Sequence, residues 1–374
     1  MIVGIPKESW RDERRVALTP AGAYALARAG HTVIVQAEAG LTSGFTPQAY
    51  QDAGATIAFS AEEVFARADL LVKVMPPTVE ECGWIPEQKF LFSTVHFGTA
   101  DRRVHEMLRV LKVNAVGLEL IEDSEQNLPV LTAMSEIAGM LLPQIAGRFL
   151  ETNQGGRGIL LGGVAGIPAS DVAIIGAGTV GTTAARSFLG CGANVTVMDD
   201  DLKRLRFIEM LLAKMANTVL ATPYNIERFV ASADVVVGTV LIHGRKTPHV
   251  VTEPMVRKMR SGSVILDVSI DQGGCVETSR PTTLSDPVFV RHGVTHFCVP
   301  NIPSSVARTS SHALNNVVLP FVEEVAGNGA LAFRDNPTLR RGVYLYSGEC
   351  THEGLAGLLG WEYSNIESLV ERRC

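Results

Sequence analysis

Two short apolar runs end in groups that can move protons. Phe90 to Val95 ends at His96, and Val264 to Ile270 ends at Asp271, followed by Gln272-Gly273-Gly274-Cys275. Runs of this length and composition read as buried strands. An imidazole changes charge near neutral pH and works as general acid and base, so a histidine and a carboxylate at two strand ends make a proton relay. Taken alone, His96 reads equally well as a satisfied core histidine, and Asp271 as a cap on the turn that follows it.

A glycine turn lies between them in the chain. Val172 to Ile175 form a third apolar run, which ends in Gly176-Ala177-Gly178-Thr179-Val180-Gly181, and Thr182 to Leu189 continue as small and apolar residues with helical character. Strand, tight turn and helix in this order form a dinucleotide-binding pattern. Gly176 permits the turn, Gly178 lets backbone approach a pyrophosphate, and Gly181 lets the helix pack closely on the strand. Helix amides and the positive end of the dipole then face the phosphates. The next run, Val195 to Met198, stops at Asp199, at the separation expected of a carboxylate that binds a ribose diol. That acid favours NAD over NADP, because it repels a 2′-phosphate, and Asp200 and Asp201 deepen the negative field. The alternative is an ordinary glycine turn of an α/β sheet.

The elements that must position these groups alternate from the start: strand-like Ile2 to Ile5, a helix from Ala21 to Ala29, then His31 to Val35, Leu70 to Val74, Phe90 to Val95, a helix near Val104 to Leu111, and Val113 to Val116. The second half repeats the alternation at Val172 to Ile175, Val195 to Met198, Val219 to Ala221, Val235 to Val237, Val264 to Asp267 and His296 to Val299. This is α/β order, and six strands with helices between them make a doubly wound sheet. Ala133 to Phe149 and Ser304 to Ala326 read as long helices where the chain passes from one domain to the other. The pattern predicts a discontinuous α/β substrate domain over 1–130 and 304–374. A Rossmann NAD-binding domain, a doubly wound parallel sheet, is inserted over 131–303, with the active site in the cleft between, where such sites are usually found. The loop Gly155-Gly156-Arg157-Gly158 through Gly162-Gly163-Val164-Ala165-Gly166 is either a phosphate loop or a surface hairpin.

With 374 residues the chain can build two cores, and 46% hydrophobic with 19% charged residues is a globular composition. A net charge of −6 supplies no basic patch for nucleic acid or anionic lipid, so a small anionic substrate must be held by a few local cations. The N-terminus, Met1-Ile2-Val3-Gly4-Ile5-Pro6, lacks the basic head and apolar stretch of a signal peptide, and no uninterrupted apolar segment is long enough to span a membrane. Cys82, Cys191, Cys275, Cys298, Cys350 and Cys374 show no Cys-x-x-Cys pair and no histidine at zinc spacing. The expectation is a reduced, cytoplasmic enzyme without structural metal.

Five motifs occur in order: Glu13-Arg14-Arg15-Val16-Ala17-Leu18-Thr19-Pro20; Ala133-Met134-Ser135-Glu136-Ile137-Ala138-Gly139; the Gly155 to Gly166 loop; Asp267-Val268-Ser269-Ile270-Asp271-Gln272-Gly273-Gly274; and Asn301-Ile302-Pro303 leading to Arg308-Thr309-Ser310. Together they resemble the alanine dehydrogenases, a family that shares its fold with the nucleotide-binding subunit of proton-translocating transhydrogenase. The resemblance covers essentially the whole chain. Arg15, by itself a surface arginine ahead of a helix, is implied to fork onto the substrate carboxylate. His96 is implied to hydrogen-bond the keto oxygen, and Asp271 to position ammonia or water and stabilise the charge that develops. Asn301, Ser135 and the backbone near Val268 are implied to line the nicotinamide side. The remaining cofactor contacts are Gly176, Gly178, Thr179, Val180, Gly181, Asp199, Arg204, Val240, Leu241 and Arg280. The transhydrogenase branch lacks the histidine and the aspartate, which favours the enzyme branch. A hexamer is implied, although some relatives are smaller.

One departure stands out. The family carries Lys-x-Lys-Glu-Pro where this chain has Lys73-Val74-Met75-Pro76-Pro77, so Met75 replaces the lysine that contacts substrate. Such a cation is worth about 2–5 kcal/mol by analogy with truncated buried charge pairs. Residues two apart share a face of a strand, so Lys73 is either a second cation for the substrate or a buried structural lysine. Thr94, where the family has an aromatic residue, and Ala133, where it has proline, depart with Met75, as a pocket rebuilt for a larger or more apolar substrate would. The resemblance thus implies NAD-dependent oxidative deamination of L-alanine to pyruvate and ammonium, and the reverse, with a small amino acid and a 2-oxo acid as the partners of a homo-oligomeric enzyme. The alternatives are a related amino-acid, imine or opine-type dehydrogenase, or an inactive nucleotide-binding module.

Overall fold

The computed structural model describes residues 1–96, 101–241 and 247–373. The chain forms two compact units: Met1–Met134 with Ser304–Cys374, and Ser135–Pro303. Each is an α/β unit built on a largely parallel sheet.

Six parallel strands open the first unit: β1 Ile2–Ile5, β2 Thr32–Gln36, β3 Thr56–Ala58, β4 Leu70–Val72, β5 Phe90–Ser93 and β6 Asn114–Gly117. Their spatial order is β3-β2-β1-β4-β5-β6. In the second unit come β7 Asp171–Ile175, β8 Asn194–Asp199, β9 Asn217–Leu220, β10 Val235–Gly238, β11 Val264–Asp267, β12 Val288–Arg291 and β13 Val294–Phe297, in the order β12-β13-β11-β10-β7-β8-β9. Leaving out β12, which runs antiparallel, both sheets follow one plan, in which the chain starts in the middle, winds to one edge, returns and winds to the other. Where the direction reverses, loops at the strand C-termini part and leave a crevice, the usual ligand position in such sheets. That point lies between β1 and β4 in the first unit and between β7 and β10 in the second. Two antiparallel strands, β14 Val343–Tyr346 and β15 Glu349–Cys350, extend the first sheet beyond β6.

The strands form where the sequence is rich in Val, Ile and Leu and bury on both faces, as parallel strands covered by helices must. β4, β6, β10, β11 and β13 are buried at every position. Several helices begin at side-chain caps that take an orphan amide: Thr46 accepts from Ala49, Ser60 from Glu63 and Thr222 from Asn225. The strands absent from the sequence pattern are short or marginal. β12 and β13 join through His292 (φ 55°) and Gly293 (φ 75°), a two-residue turn with both residues left-handed; a histidine in the first position does not announce such a turn.

Helix Pro129–Phe149 is long and apolar enough, by length and composition, to cross a membrane, but Glu136, Gln144 and Arg148 interrupt its apolar run. Its exposed residues Glu136, Met140, Gln144 and Arg148 recur every four positions, while Ala138, Leu141, Leu142 and Ala146 are buried, which is the pattern of an amphipathic core helix. A Cβ on Gly139 would stand 2.8 Å from the Thr183 Cβ and from the Val180 carbonyl oxygen, so this helix lies tightly on helix Thr179–Gly190. The Gly155 to Gly166 loop is a hairpin, bridged at Val164 and Ile167. Arg157 pairs with Asp234, whose carboxylate also accepts the Asp171 amide at 3.0 Å. That pins the loop at the N-terminal ends of β7 and β10, the opposite end from the glycine turn, and removes it as a phosphate loop.

Candidate active site

In the second unit the glycine turn forms directly at the end of β7. Gly176 has φ 108°, and a Cβ there would stand 2.7 Å from the Thr239 hydroxyl at the end of β10. The Thr239 amide donates to the Ile175 carbonyl at 2.8 Å, and its hydroxyl to the carbonyls of Ile175 and Gly176 at 3.0 Å each. A Cβ on Gly181 would overlap the Gly176 carbonyl oxygen, whereas one on Gly178 would meet nothing within 4 Å. The first two contacts close the turn against strand and helix. The open space at Gly178 is where a pyrophosphate fits. Helix Thr179–Gly190 starts there with no side-chain cap, so its first-turn amides, with Thr179 and Val180 leading, face that space as an anion site requires.

Asp199 ends β8. It is buried, accepts the Ala177 amide at 2.6 Å and the Asp201 amide at 2.8 Å, and has the exposed Arg204 guanidinium 3.7 Å away. Val240 and Leu241 follow β10, half-buried and exposed respectively. Val268 opens a 3₁₀ turn, Val268–Gln272, that carries the exposed Asp271. Arg280 lies 4.4 Å from the centre of the Phe289 ring. Asn301 adopts φ 58° beyond β13, and Ser135 is half-buried in the long helix. Asp199 ends β8 and Arg204 lies on the helix Leu202–Leu211 that follows it, while Val240, Leu241, Val268, Asp271 and Asn301 stand in the segments that follow β10, β11 and β13. The turn, its uncapped helix and the acid at the end of β8 together suit a dinucleotide.

In the first unit the predicted residues follow β1, β4 and β5, and the structure adds carboxylates after β1 and β6. Arg15 is buried and oriented by Glu13, which accepts from Nε at 2.8 Å, from the terminal nitrogen Nη2 at 2.6 Å and from the Arg15 amide at 2.9 Å. The other terminal nitrogen, Nη1, points to the Met134 sulfur at 3.4 Å. Sulfur is a weak acceptor, so this edge retains donor strength for an anion. Arg15, Glu13, Glu8, Lys7, Glu38 and Thr42 line a cavity of about 310 Å³. His96 has φ 52°, a left-handed conformation uncommon outside glycine. Glu119, at the end of β6, holds it there, one oxygen accepting the Val95 amide at 2.8 Å and the His96 amide at 3.2 Å. Trp10 stacks on the imidazole at 6.2 Å and donates its indole N–H to the Pro76 carbonyl at 2.7 Å. Burial, and then the Arg15 charge, hold the His96 imidazole below its ordinary pKa. Glu8, Glu13, Glu119 and Trp10 were not singled out from the sequence; the closeness of Glu13 to Arg15 was the one local sign of an acid placed to orient it.

Lys73 is not a substrate cation. β4 ends at Val72, so the two-residue period that would put Lys73 and Met75 on one face no longer holds beyond it. Lys73 is completely buried, with its ammonium 3.0 and 3.1 Å from the Glu81 oxygens, 3.8 Å from Glu8 and 5.5 Å from the centre of the Phe65 ring. Glu81 also accepts the Thr78 amide at 2.8 Å, closing a capping box on helix Val79–Cys82. Glu8 accepts the amides of Val74 (2.6 Å) and Met75 (3.3 Å), and burial raises its pKa to about 7 against the pull of Lys73. Met75 is buried, its sulfur 4.0 Å from the Thr94 hydroxyl, which donates to the Val74 carbonyl at 2.8 Å. Two of the three departing positions are therefore neighbours. Lys73→Met would strand two buried carboxylates and should lower unfolding stability by about 3–5 kcal/mol in urea titration. A variant of undiminished stability whose Michaelis constant for pyruvate rises would return Lys73 to the substrate.

Comparison with known proteins gives the lineage of this arrangement. Residues 4–138 match the family model described as alanine dehydrogenase/PNT, N-terminal domain, and residues 143–353 match alanine dehydrogenase/PNT, C-terminal domain. The chain is 43% identical to an alanine dehydrogenase of Staphylococcus haemolyticus and 44% identical to one of Staphylococcus saprophyticus, in each case over 99% of this chain and 100% of the relative. A solved L-alanine dehydrogenase superposes with a TM-score of 0.92 at 39% identity, covering 96% of this chain and 99% of that one. A transhydrogenase from Sinorhizobium meliloti shares the fold, with a TM-score of 0.81 at 24% identity over 94% of this chain and 99% of that one. With both of its units matched and relatives above 40% identity along its full length, the chain belongs to the alanine dehydrogenase/PNT family.

Proposed function

We propose that this protein interconverts L-alanine with pyruvate and ammonium, L-alanine, water and NAD⁺ giving pyruvate, ammonium, NADH and a proton. What supports this most directly in the chain itself is Arg15: a buried guanidinium, oriented by Glu13, close enough to His96 for its charge to depress the imidazole pKa. A carboxylate-bearing substrate held there lies next to a group that exchanges protons. NAD, when bound, accepts the hydride from the substrate carbon.

Arg15 takes the carboxylate common to alanine and pyruvate on the edge now facing the Met134 sulfur, while Glu13 keeps the guanidinium plane fixed. His96, neutral at neutral pH because burial and Arg15 disfavour its cation, removes a proton from the substrate oxygen in deamination and returns it to the keto oxygen in amination. An anion bound to Arg15 cancels part of that cation's field, so substrate binding raises the imidazole pKa and draws in the proton the amination needs. Asp271 assists addition of ammonia and loss of water, and Asn301, Ser135 and Val268 line the nicotinamide side. The alternative of a larger or more apolar substrate draws on the contact of Met75 with Thr94. The exposed apolar residues Phe207, Met210, Leu211 and Met215, beside the open edge strand β9, support a homo-oligomer, a hexamer by likeness to the family. The same reading makes this a cytoplasmic enzyme; its five described cysteines are thiols.

Four measurements bear on this. His96→Ala and Asp271→Ala should each lower turnover by about 10²–10⁴-fold with NADH affinity, read by fluorescence titration, nearly intact; loss of nucleotide binding would make them residues of the fold. The acid limb of kcat/KM for alanine should lie below the ordinary imidazole value of about 6.5, activity being lost as falling pH protonates a base whose pKa is lowered. Steady-state kinetics should favour NAD over NADP because Asp199 repels a 2′-phosphate, and a higher specificity constant for NADP would contradict that. Met75→Lys should lower the Michaelis constant for pyruvate about tenfold, equivalent to about 1.4 kcal/mol, as a second cation joins Arg15. No gain on pyruvate, together with damaged activity on a better substrate found by following NADH absorbance, would favour the alternative, since an unpaired ammonium beside an apolar group is costly.

A further inference from the structure

Asp267, the last residue of β11, turns its carboxylate on the loop that follows it. It is buried, 1% exposed. Oδ1 accepts the Ser269 amide at 3.2 Å, Oδ2 accepts the Val276 amide at 3.1 Å, and the Cys275 amide reaches both oxygens at 3.3 and 3.1 Å. The Cys275 thiol donates to Oδ1 at 3.6 Å. Amides two, eight and nine positions along the chain thus converge on one group, and the segment between them is pinched at its base. Asp271 stands on that segment, exposed on the 3₁₀ turn Val268–Gln272, and Gly273 (φ 98°) and Gly274 (φ 79°) bring the chain back.

Small residues keep the space around the carboxylate. A Cβ on Gly274 would stand 2.8 Å from Oδ2, and one on Gly238, across the ladder on β10, would overlap the Cys275 sulfur. Burial raises the Asp267 pKa, and the donors around it offset part of that cost. An apolar residue would end β11 equally well and would avoid the desolvation, but it would leave three loop amides without their acceptor. Asp267 therefore serves the loop rather than the sheet.

We propose that Asp267 is a positioning residue for Asp271, fixing the backbone of the 268–276 loop so that the Asp271 carboxylate is held where the reaction needs it. This rests on Asp271 being catalytic, and the test separates the two. Wild type, Asp267→Asn, Asp271→Asn and the double variant are compared by kcat for pyruvate amination, with a thermal midpoint and an NADH titration on each. Asp271→Asn alone should lower kcat by about 10²–10⁴-fold, and Asp267→Asn by about 10²-fold, the loss expected of a catalytic group displaced by roughly 1 Å. In the Asp271→Asn background the second substitution should cost less than about threefold, because residues that act through one another are not additive. Equal losses in both backgrounds, or an unaltered kcat for Asp267→Asn, would overturn the proposal while leaving Asp271 catalytic. Full activity of Asp271→Asn alone would remove the role of Asp271, and with it this one. Should Asp267→Asn fail to fold, Asp267→Glu, which keeps the charge and lengthens the side chain by one methylene, goes through the same cycle, with the same coupling expected and the same additivity overturning it.

Discussion

A carboxylate removed from water must be met by donors, and at the C-terminal end of a parallel strand the nearest donors are amides of the chain that has just left the sheet. Both units of this protein use that requirement to shape their loops. After β1, Glu8 accepts the amides of Val74 and Met75; after β6, Glu119 accepts those of Val95 and His96; at the end of β8, Asp199 accepts those of Ala177 and Asp201; at the end of β11, Asp267 accepts those of Ser269, Cys275 and Val276. Each acid crosses to the loop of another strand or closes its own. The loops that carry His96, Met75, the glycine turn and Asp271 are held by these ties.

The strand order decides which loops are available for this. With chain direction reversing between β1 and β4 and between β7 and β10, the turns at those points diverge and leave room for a ligand. In the second unit the room is guarded by close backbone packing: Thr239 bonds the Gly176 carbonyl, and Gly181 lets helix Thr179–Gly190 approach it. In the first unit electrostatics dominate. Glu13 fixes Arg15, and burial, with the Arg15 charge second, lowers the His96 pKa.

Lys73 and Met75 show how far one residue of strand matters. Had β4 continued to residue 75, both side chains would share a face. Because it stops at Val72, Lys73 turns into the core between Glu81 and Glu8, while Met75 contacts Thr94. A buried lysine between two acids is a structural ion cluster, costly to break from either side, and it is unavailable to a ligand.

The amino-acid sequence by itself determined the class of fold, the nucleotide turn and the placement of His96 and Asp271 in segments that follow strands, although β11 stops at Asp267 and a 3₁₀ turn carries Asp271, because these depend on local order: apolar runs of strand length, glycines at fixed offsets, and an acid after the next strand. Helix Pro129–Phe149 was visible for the same reason, though its amphipathic face and its seat on Thr183 were not. Only the tertiary structure decided which acids hold which loops. Glu8 meets residues 74 and 75, and Glu119 meets 95 and 96; such pairings depend on strand neighbours distant in sequence, and no local period records them. The same holds for the short strands β3 and β15, of three and two residues, which exist through pairing rather than propensity, and for Lys73, whose side is set by where a strand ends. Local chemistry announces what a residue can do; what it touches is settled when remote segments are brought together and every buried charge must find its partner.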